Sequence, residues 1–243
     1  MKRAVILAGG RGSRLAPYTA VLPKPLLPLG DRAIVDIVVG QLTARGWDDV
    51  ILSVGHLAHL VRAVLGDGSR HGVPIRYHEE AEPLGTAAPL REIEGLDETF
   101  LAMNGDVLTN LDYDRLLDVH REAGNLLTIA THHRQVPTDY GVIHHDGGDP
   151  TLRITAYEEK PVHAYMVSMG VYALEPAAVA YIPPSGPFDI PDLVRALLDA
   201  GEPVGALPHD GYWLDIGRPD DYERAAREIV EMLPQLLPGE EVA

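Results

Sequence analysis

Three glycines, two arginines and a lysine near the N-terminus have the types and the spacing of a phosphate cradle. Gly9-Gly10-Arg11-Gly12-Ser13-Arg14-Leu15 follows the apolar run Val5-Ile6-Leu7, and Lys24 stands between Pro23 and Pro25. A short, wholly apolar run fills a parallel strand buried on both faces. Glycines directly after it let the chain turn tightly and bring backbone N–H groups up to a ligand. Such donors, joined by arginine forks and a lysine point charge, suit a polyphosphate. The two prolines fix the backbone around Lys24 and lower the entropic cost of holding its side chain. The turn is not a dinucleotide fingerprint, because Leu15 stands where the third glycine would fall. Nor is it a Walker loop, because no Gly-Lys-Ser/Thr follows the glycines.

This local charge runs against the global one. The first thirty residues hold five cations and no acid, whereas the 243-residue chain has a net charge of −16, with 36 acids against 20 Lys and Arg. Nucleic acid is therefore not an expected partner, since its phosphates would be repelled everywhere but at one patch. The absence of cysteine excludes disulfides and thiolate metal sites and agrees with a cytoplasmic location. The apolar stretch after Lys2-Arg3 ends at Gly9, too short for a signal peptide. No run is long enough to span a bilayer, so no membrane partner is expected. The length and the 46% apolar content favour one α/β domain with a sizeable core.

Strand-like and helical patterns alternate over most of the chain. Strands are expected at Arg3–Ala8, Val50–Val54, Pro74–His78 and Thr99–Met103, the last running into Asn104-Gly105-Asp106. Helices are expected from Asp31, read as an N-cap, to Gly46, at His56–Leu65 and at Asp112–Gly124. This alternation predicts a Rossmann-like, mostly parallel sheet flanked by helices, with ligands at the carboxyl ends of its strands. Beyond residue 125 the candidates are closely spaced: Leu126–Thr131, Gly141–His144, Leu152–Tyr157 and Met166–Leu174. They read as an added β-rich lobe, followed by helices at Phe188–Ala200 and Pro219–Met232 and a frayed tail over Pro238–Ala243.

The run Leu7-Ala8-Gly9-Gly10-x-Gly12-Ser13-Arg14-Leu15, with Pro23-Lys24-Pro25-Leu26, resembles the signature of the sugar-1-phosphate nucleotidylyltransferases, with Ser13 in place of the usual threonine. The resemblance continues in order over about residues 1–225. It implies a GT-A-like fold with a β-rich sugar-binding lobe, and an enzyme that joins a nucleoside triphosphate to a sugar 1-phosphate and releases pyrophosphate. It implies that Leu7 to Gly10, Gly12 and Ser13 bind the nucleotide, with Arg14, Lys24 and Lys160 as catalytic cations. It implies that Asp106 and Asp215, the latter in Trp213-Leu-Asp-Ile-Gly217, hold Mg²⁺. Asn104, Gly141, Glu159, Ser168 and Gly170 fall in the sugar pocket, with Ser168 where relatives usually carry asparagine. The resemblance implies that Glu79-Glu80-Ala-Glu82-Pro-Leu-Gly85-Thr86-Ala87 lies beside the base, and this stretch looks most like guanylyltransferases acting on mannose 1-phosphate and related sugars. Guanine offers adjacent N1–H and N2–H donors that Glu80 or Glu82 can accept, and Gly85 would admit the base. A domain over 1–225 with a helix end and tail over 226–243 follows, without the C-terminal hexapeptide β-helix of longer relatives.

Other readings stay open. A thymidylyl- or uridylyltransferase, or a guanylyltransferase for a heptose phosphate, keeps the class and changes the substrates. A glycosyltransferase would use Asp112-Tyr113-Asp114 as its metal-binding Asp-x-Asp, although acids at a helix start cap it and complement its dipole. A silent nucleotide-sugar sensor would bind without turnover. His132-His133 and His144-His145 would point to opposite faces of their strands, which disfavours a shared metal. A homo-oligomer is compatible with the chain, and oligomeric state is not readable from it.

Overall fold

The computed structural model describes residues 1–148 and 152–238. Seven strands form the central sheet: β1 (Arg3–Ala8), β2 (Asp49–Val54), β3 (Ile75–Glu79), β4 (Phe100–Asn104), β5 (Leu127–Pro137), β6 (Val162–Leu174) and β7 (Val204–Pro208). Their order across the sheet is β7-β5-β6-β4-β1-β2-β3. All neighbours are parallel except β6, which runs antiparallel to both β4 and β5. The mostly parallel sheet expected from the alternation is present.

Both faces of the sheet are covered, which is why its strands read as unbroken apolar runs. Ala4 and Ile6 of β1 pack into one core with α1 (Ile34–Ala44), α2 (Ala58–Leu65), α3 (Tyr113–Ala123) and the last long helix. Val5 points the other way, into a second core with Phe100 and with Leu193 and Leu197. After the one-turn α4 (Pro176–Val179), those two leucines lie on α5 (Ile190–Asp199), and the long helix is α6 (Pro219–Leu236). Ala4, Val5 and Ile6 are all fully buried.

Four expectations need correction. Asp31 does not cap α1. Gly30 and Asp31 form the two-residue turn of a small hairpin, Pro28–Leu29 with Arg32–Ala33, and the helix starts only at Ile34. Gly30, at φ 65, supplies the positive dihedral such a turn needs. The backbone N–H of Ala33 is met instead by Asp36, at 3.3 Å. Second, the runs at 126–131 and 166–174 belong to the central sheet. Both strands continue past it, paired from Ser168↔Thr131 to Val162↔Pro137, and the lobe is this extension with the hairpin Val142–His145/Ile154–Glu158. The polar run His132–Gln135 hid the continuation. Third, α6 runs past Met232 to Leu236 through Pro234, because Leu233 and Leu236 are buried in the core and hold the last turn. Fourth, helix α5 starts two residues late, since the Phe188 carbonyl accepts from the N–H groups of Ala87 and Ala88. The expected tail, apart from Pro238, lies outside the described residues. No helix is long and apolar enough to cross a membrane among those described.

Candidate active site

The sheet has one point where the chain reverses its direction of travel, between β1 and β4, and a crevice opens there at the strands' carboxyl ends. Leu7 of β1 pairs with Asn104 of β4, and the Gly105 N–H donates to the Leu7 carbonyl at 2.9 Å. The glycine turn and the Asn104-Gly105-Asp106 corner are therefore side by side. Gly12 holds φ 63, and a β-carbon there would fall 2.9 Å from the Thr19 methyl and 3.3 Å from Lys24 Cβ. Thr19 ties the turn down by donating its hydroxyl to the Gly12 carbonyl at 2.8 Å. The N–H groups of Gly10, Arg11 and Gly12 donate to no acceptor among the described residues, so they are available to a ligand.

Asp215 reaches the same place by strand pairing. Trp213–Asp215 runs antiparallel to Val107–Thr109, with Asp215 opposite Val107, and the Ile216 N–H donates to the Asp106 carbonyl at 3.1 Å. Lys24 is drawn onto this pair, its ammonium bonded to Asp106 Oδ2, with both side chains largely buried. The Asp215 carboxyl is pushed above the ordinary carboxylate range, first by desolvation in the cleft wall and then by the charge of Asp106. Lys24 and Arg14 pull the other way. Asp106 Oδ1 is buried with no hydrogen-bond partner among the described residues. Two adjoining hard carboxylates, one carrying an unused buried oxygen, fit a divalent ion such as Mg²⁺, which takes few protein ligands. No group of three metal-ligating side chains occurs among the described residues.

A cavity of about 400 Å³ gathers most of the predicted residues: Leu7, Ala8, Gly10, Gly12, Ser13, Arg14, Lys24, Thr86, Asn104, Asp106 and Asp215. Gly217, Pro25 and Arg11 also line it. Gly9, Glu80 and Glu82 face an adjoining pocket with Gly55 and His56. There Glu80 is committed: it accepts from the Ser53 hydroxyl at 3.0 Å and from the Leu84 N–H at 3.3 Å. Glu82 has no such partner among the described residues. Gly85, at φ 89, packs against the Phe188 carbonyl, which a β-carbon would approach to 2.8 Å. That contact accounts for the glycine without a base. Thr86 donates its N–H and hydroxyl to Asp189 Oδ1 at 2.8 and 3.0 Å, anchoring the loop to the start of α5. Sequence reasoning missed Asp189, whose one signal, an acid before Ile-Pro, reads as a helix cap.

The sugar-side residues are divided. Gly170 lies directly under the Asn104 amide, 2.7 Å from where its β-carbon would stand. Ser168 Oγ accepts from the Gly170 N–H at 3.3 Å and shares a hydrogen bond with the Tyr172 hydroxyl at 3.1 Å. Burial raises the Tyr172 phenol above its usual range, and the charges of Asp215 and Asp106 add to that. Gly141 sits under the Tyr157 ring on the lobe, and Tyr157 donates to Glu159 at 2.6 Å. Lys160 follows on the exposed lobe with φ 46 and does not line the cleft.

The discounted motifs are structural. Asp112 caps α3, accepting from the N–H groups of Asp114 and Arg115 at 3.0 and 3.2 Å, and Asp114 pairs with Lys2. His132 bonds the His209 carbonyl at 2.8 Å and packs at a tilt against the Trp213 ring, while His144 pairs with Glu158.

A glycine turn with cations at the switch point of such a sheet suits a phosphate-bearing ligand, and comparison with known proteins gives the family. Residues 3–232 match the nucleotidyl transferase family model, and the chain belongs to that family, as a sugar-1-phosphate nucleotidylyltransferase relative. It is 33% identical over 264 aligned residues to a UTP--glucose-1-phosphate uridylyltransferase of Synechocystis sp., covering 99% of this chain and 67% of the relative. It is 34% identical to a mannose-1-phosphate guanyltransferase of Candida albicans, covering 90% of this chain and 62% of that protein. The chain thus spans about two thirds of the length of these relatives. Its fold matches a Bacillus anthracis crystal structure, assigned as a glucose-1-phosphate thymidylyltransferase in complex with a sucrose, at TM-score 0.74 and 24% identity, over 100% of this chain and 98% of that one.

Proposed function

We propose that the chain transfers a nucleotidyl group from a nucleoside triphosphate to a sugar 1-phosphate, most readily GTP to mannose 1-phosphate or a related sugar. The observation that carries this reading is the convergence of Arg14, Lys24, Asp106, Asp215 and the glycine turn on one cavity. An oxygen of the sugar phosphate attacks the α-phosphorus in line. The bond to the bridging oxygen breaks, and pyrophosphate leaves with the electron pair. The nucleophile is already ionised near neutral pH, so no general base is needed and catalysis rests on positioning and charge neutralisation. The free N–H groups of Gly10 to Gly12 and the Arg14 guanidinium hold the β- and γ-phosphates. Lys24 moves from Asp106 to the α-phosphoryl oxygens as charge develops there. Lys160 lies on the lobe outside the cleft lining, so its role toward the acceptor phosphate requires the lobe to approach the bound sugar phosphate. Asp106 and Asp215 would hold Mg²⁺, which supplies charge neutralisation between phosphate oxygens.

The choice of base rests on Glu82. Because Glu80 is bonded to Ser53 and Leu84, Glu82 is the carboxylate free to accept from guanine N1–H and N2–H. A uridylyl reading has the cyanobacterial relative on its side. The test is sugar-dependent pyrophosphate release with Mg²⁺, crossing GTP, UTP, dTTP, ATP and CTP against mannose, glucose and heptose 1-phosphates. GTP preference supports the guanine reading, whereas UTP or dTTP preference keeps the class and removes Glu82 from base selection. Release with no pair, alongside binding of an NDP-sugar, replaces the class by a sensor or a glycosyltransferase.

A further inference from the structure

A second cavity, of about 490 Å³, opens off the first. Arg14, Asp215 and Gly217 line both, and beyond them the second is walled by β5 and the start of α6. From β5 it receives His133 and Arg134, and from the α6 side Arg218 and Arg224. The side chains of Arg134 and Arg218 have no hydrogen bond or ion pair among the described residues. Some arginines elsewhere do find carboxylates, as Arg3 and Arg76 share Asp49, Arg62 meets Glu79 and Arg195 meets Asp192; what sets Arg134 and Arg218 apart is that they line one cavity with Arg14. The acids of this cavity do not neutralise the pair. Asp221 accepts from the Arg218 backbone N–H at 3.0 Å, and Arg224 is matched by Glu228 at 2.7 Å. Asp215 faces the other cavity as well. His132 is bonded to the His209 carbonyl. Two guanidinium forks and Arg14 thus face one space, a donor set that suits a multiply charged oxyanion.

The position selects which anion. In-line displacement puts acceptor and leaving group on opposite sides of the α-phosphorus. The glycine turn and Arg14 define the leaving side, and Arg14 is the shared wall of the two cavities. None of the sugar-side residues Asn104, Gly141, Glu159, Ser168 and Gly170 lines the second cavity. We infer that this cavity is an exit station for inorganic pyrophosphate, in which Arg134 and Arg218 take over the product from Arg14 after the P–O bond breaks. The inference rests on the nucleotidyl-transfer reading and adds a site to it. It gives pyrophosphate a route past Arg14 that does not cross the bound nucleotide-sugar.

The test is the double variant Arg134→Ser/Arg218→Ser, whose positions are exposed and outside the core, with folding checked by circular dichroism. Calorimetric titration of inorganic pyrophosphate into the wild-type protein, without sugar, should show binding that weakens about tenfold or more in the variant, the loss expected of two charge-assisted contacts. In the reverse reaction, KM for pyrophosphate should rise by a similar factor while KM for the nucleotide-sugar moves less than twofold. Unchanged pyrophosphate binding and KM would overturn the inference, as would a rise confined to the KM of the sugar phosphate, which would give the arginines to the acceptor. Wild-type protein that forms no nucleotide-sugar from any substrate pair refutes the nucleotidyl-transfer reading instead, and the calorimetric arm reads the cavity independently of it.

Discussion

At the residue scale the centre of the site is a pair that neutralises itself in the free protein. Lys24 and Asp106 are each other's counter-ion, with side chains 15% and 21% exposed. In a cleft wall the desolvation of the two charges offsets much of their attraction, so the pair contributes little net stability. Its value lies in what Lys24 does when phosphate arrives. Lys24→Ala or Asp106→Ala should therefore lower kcat at least about a hundredfold, the size of effect seen when one preorganised charge-stabilising donor is lost. Thermal unfolding should move little, and a modest rate loss or a collapse of the fold would remove these roles. Glu80 and Glu82 make a second, sharper contrast. Glu82→Gln should raise KM for GTP about tenfold, the loss of a charge-assisted contact in a partly open pocket. It should leave the melting temperature unchanged. Glu80→Gln should lower the melting temperature, because it weakens the ties to Ser53 and Leu84 that set the loop. Equal GTP affinity in wild type and Glu82→Gln would take the base away from Glu82.

At the element scale, helix α3 shows why two features of the chain are structural. Asp112 meets two N–H groups at its start, so Asp112→Ala should cost about 1 kcal/mol by denaturant titration and leave nucleotidyl transfer intact. Loss of turnover there would return the Asp-x-Asp reading. At the other end His120 is completely buried, although helical periodicity alone did not single it out. Its Nδ1 lies 2.9 Å from the Thr128 hydroxyl, which accepts from Asn125, and its Nε2 lies 3.2 Å from Glu175 Oε1, which also accepts from Thr99. The network assigns the neutral ring with hydrogen on Nε2: Thr128 donates to Nδ1 and Nε2–H donates to Glu175. Desolvation lowers its pKa below the ordinary histidine value of about 6.5, against the pull of Glu175. The sign follows from linkage. Below pH 6.5 the unfolded chain takes up a proton at this ring before the folded one does, so the unfolded state binds more protons and stability falls with falling pH. Stability measured by denaturant titration should be level above about pH 7 and decline through pH 6.5 and below. His120→Gln should flatten that part of the decline, and an identical profile in the variant would clear His120 of it.

At the scale of the whole molecule, what was legible in the chain was whatever is encoded locally. Val5-Ile6-Leu7 ending at Gly9 announced β1 and its turn, because burial on both faces leaves no room for a polar residue. The meeting of Asp106 with Asp215 was not local: it depends on the register of Trp213–Asp215 against Val107–Thr109, which spacing does not encode. Arg134 and Arg218 gave no signal, since a lone arginine on a strand or in a turn reads as solvated surface. Asp189 is passed over inside the expected helix Phe188–Ala200, because its role of holding Thr86 needs α5 brought against the loop after β3. The cleft is thus assembled from the glycine turn after β1, the corner after β4, the Thr86 loop and the segment before α6. On the proposed reading a nucleotide there would touch four parts of the chain that lie far apart in sequence, a set the unfolded chain cannot reproduce. Binding should stabilise the whole domain. At a nucleotide concentration of about a hundred times Kd the gain is about 2.7 kcal/mol, which for a chain of this size corresponds to roughly 5–10 °C in Tm. Differential scanning fluorimetry with each nucleoside triphosphate and Mg²⁺ should show a rise of that order with the preferred nucleotide. The rise should shrink in Asp106→Ala and in Arg14→Ala, because the proposed site needs Asp106 to hold Mg²⁺ and Arg14 to meet the phosphates, and neither side chain belongs to the core. Absence of any shift with every nucleotide in the wild type would mean that the turn, the corner and the two aspartates do not act as one nucleotide site.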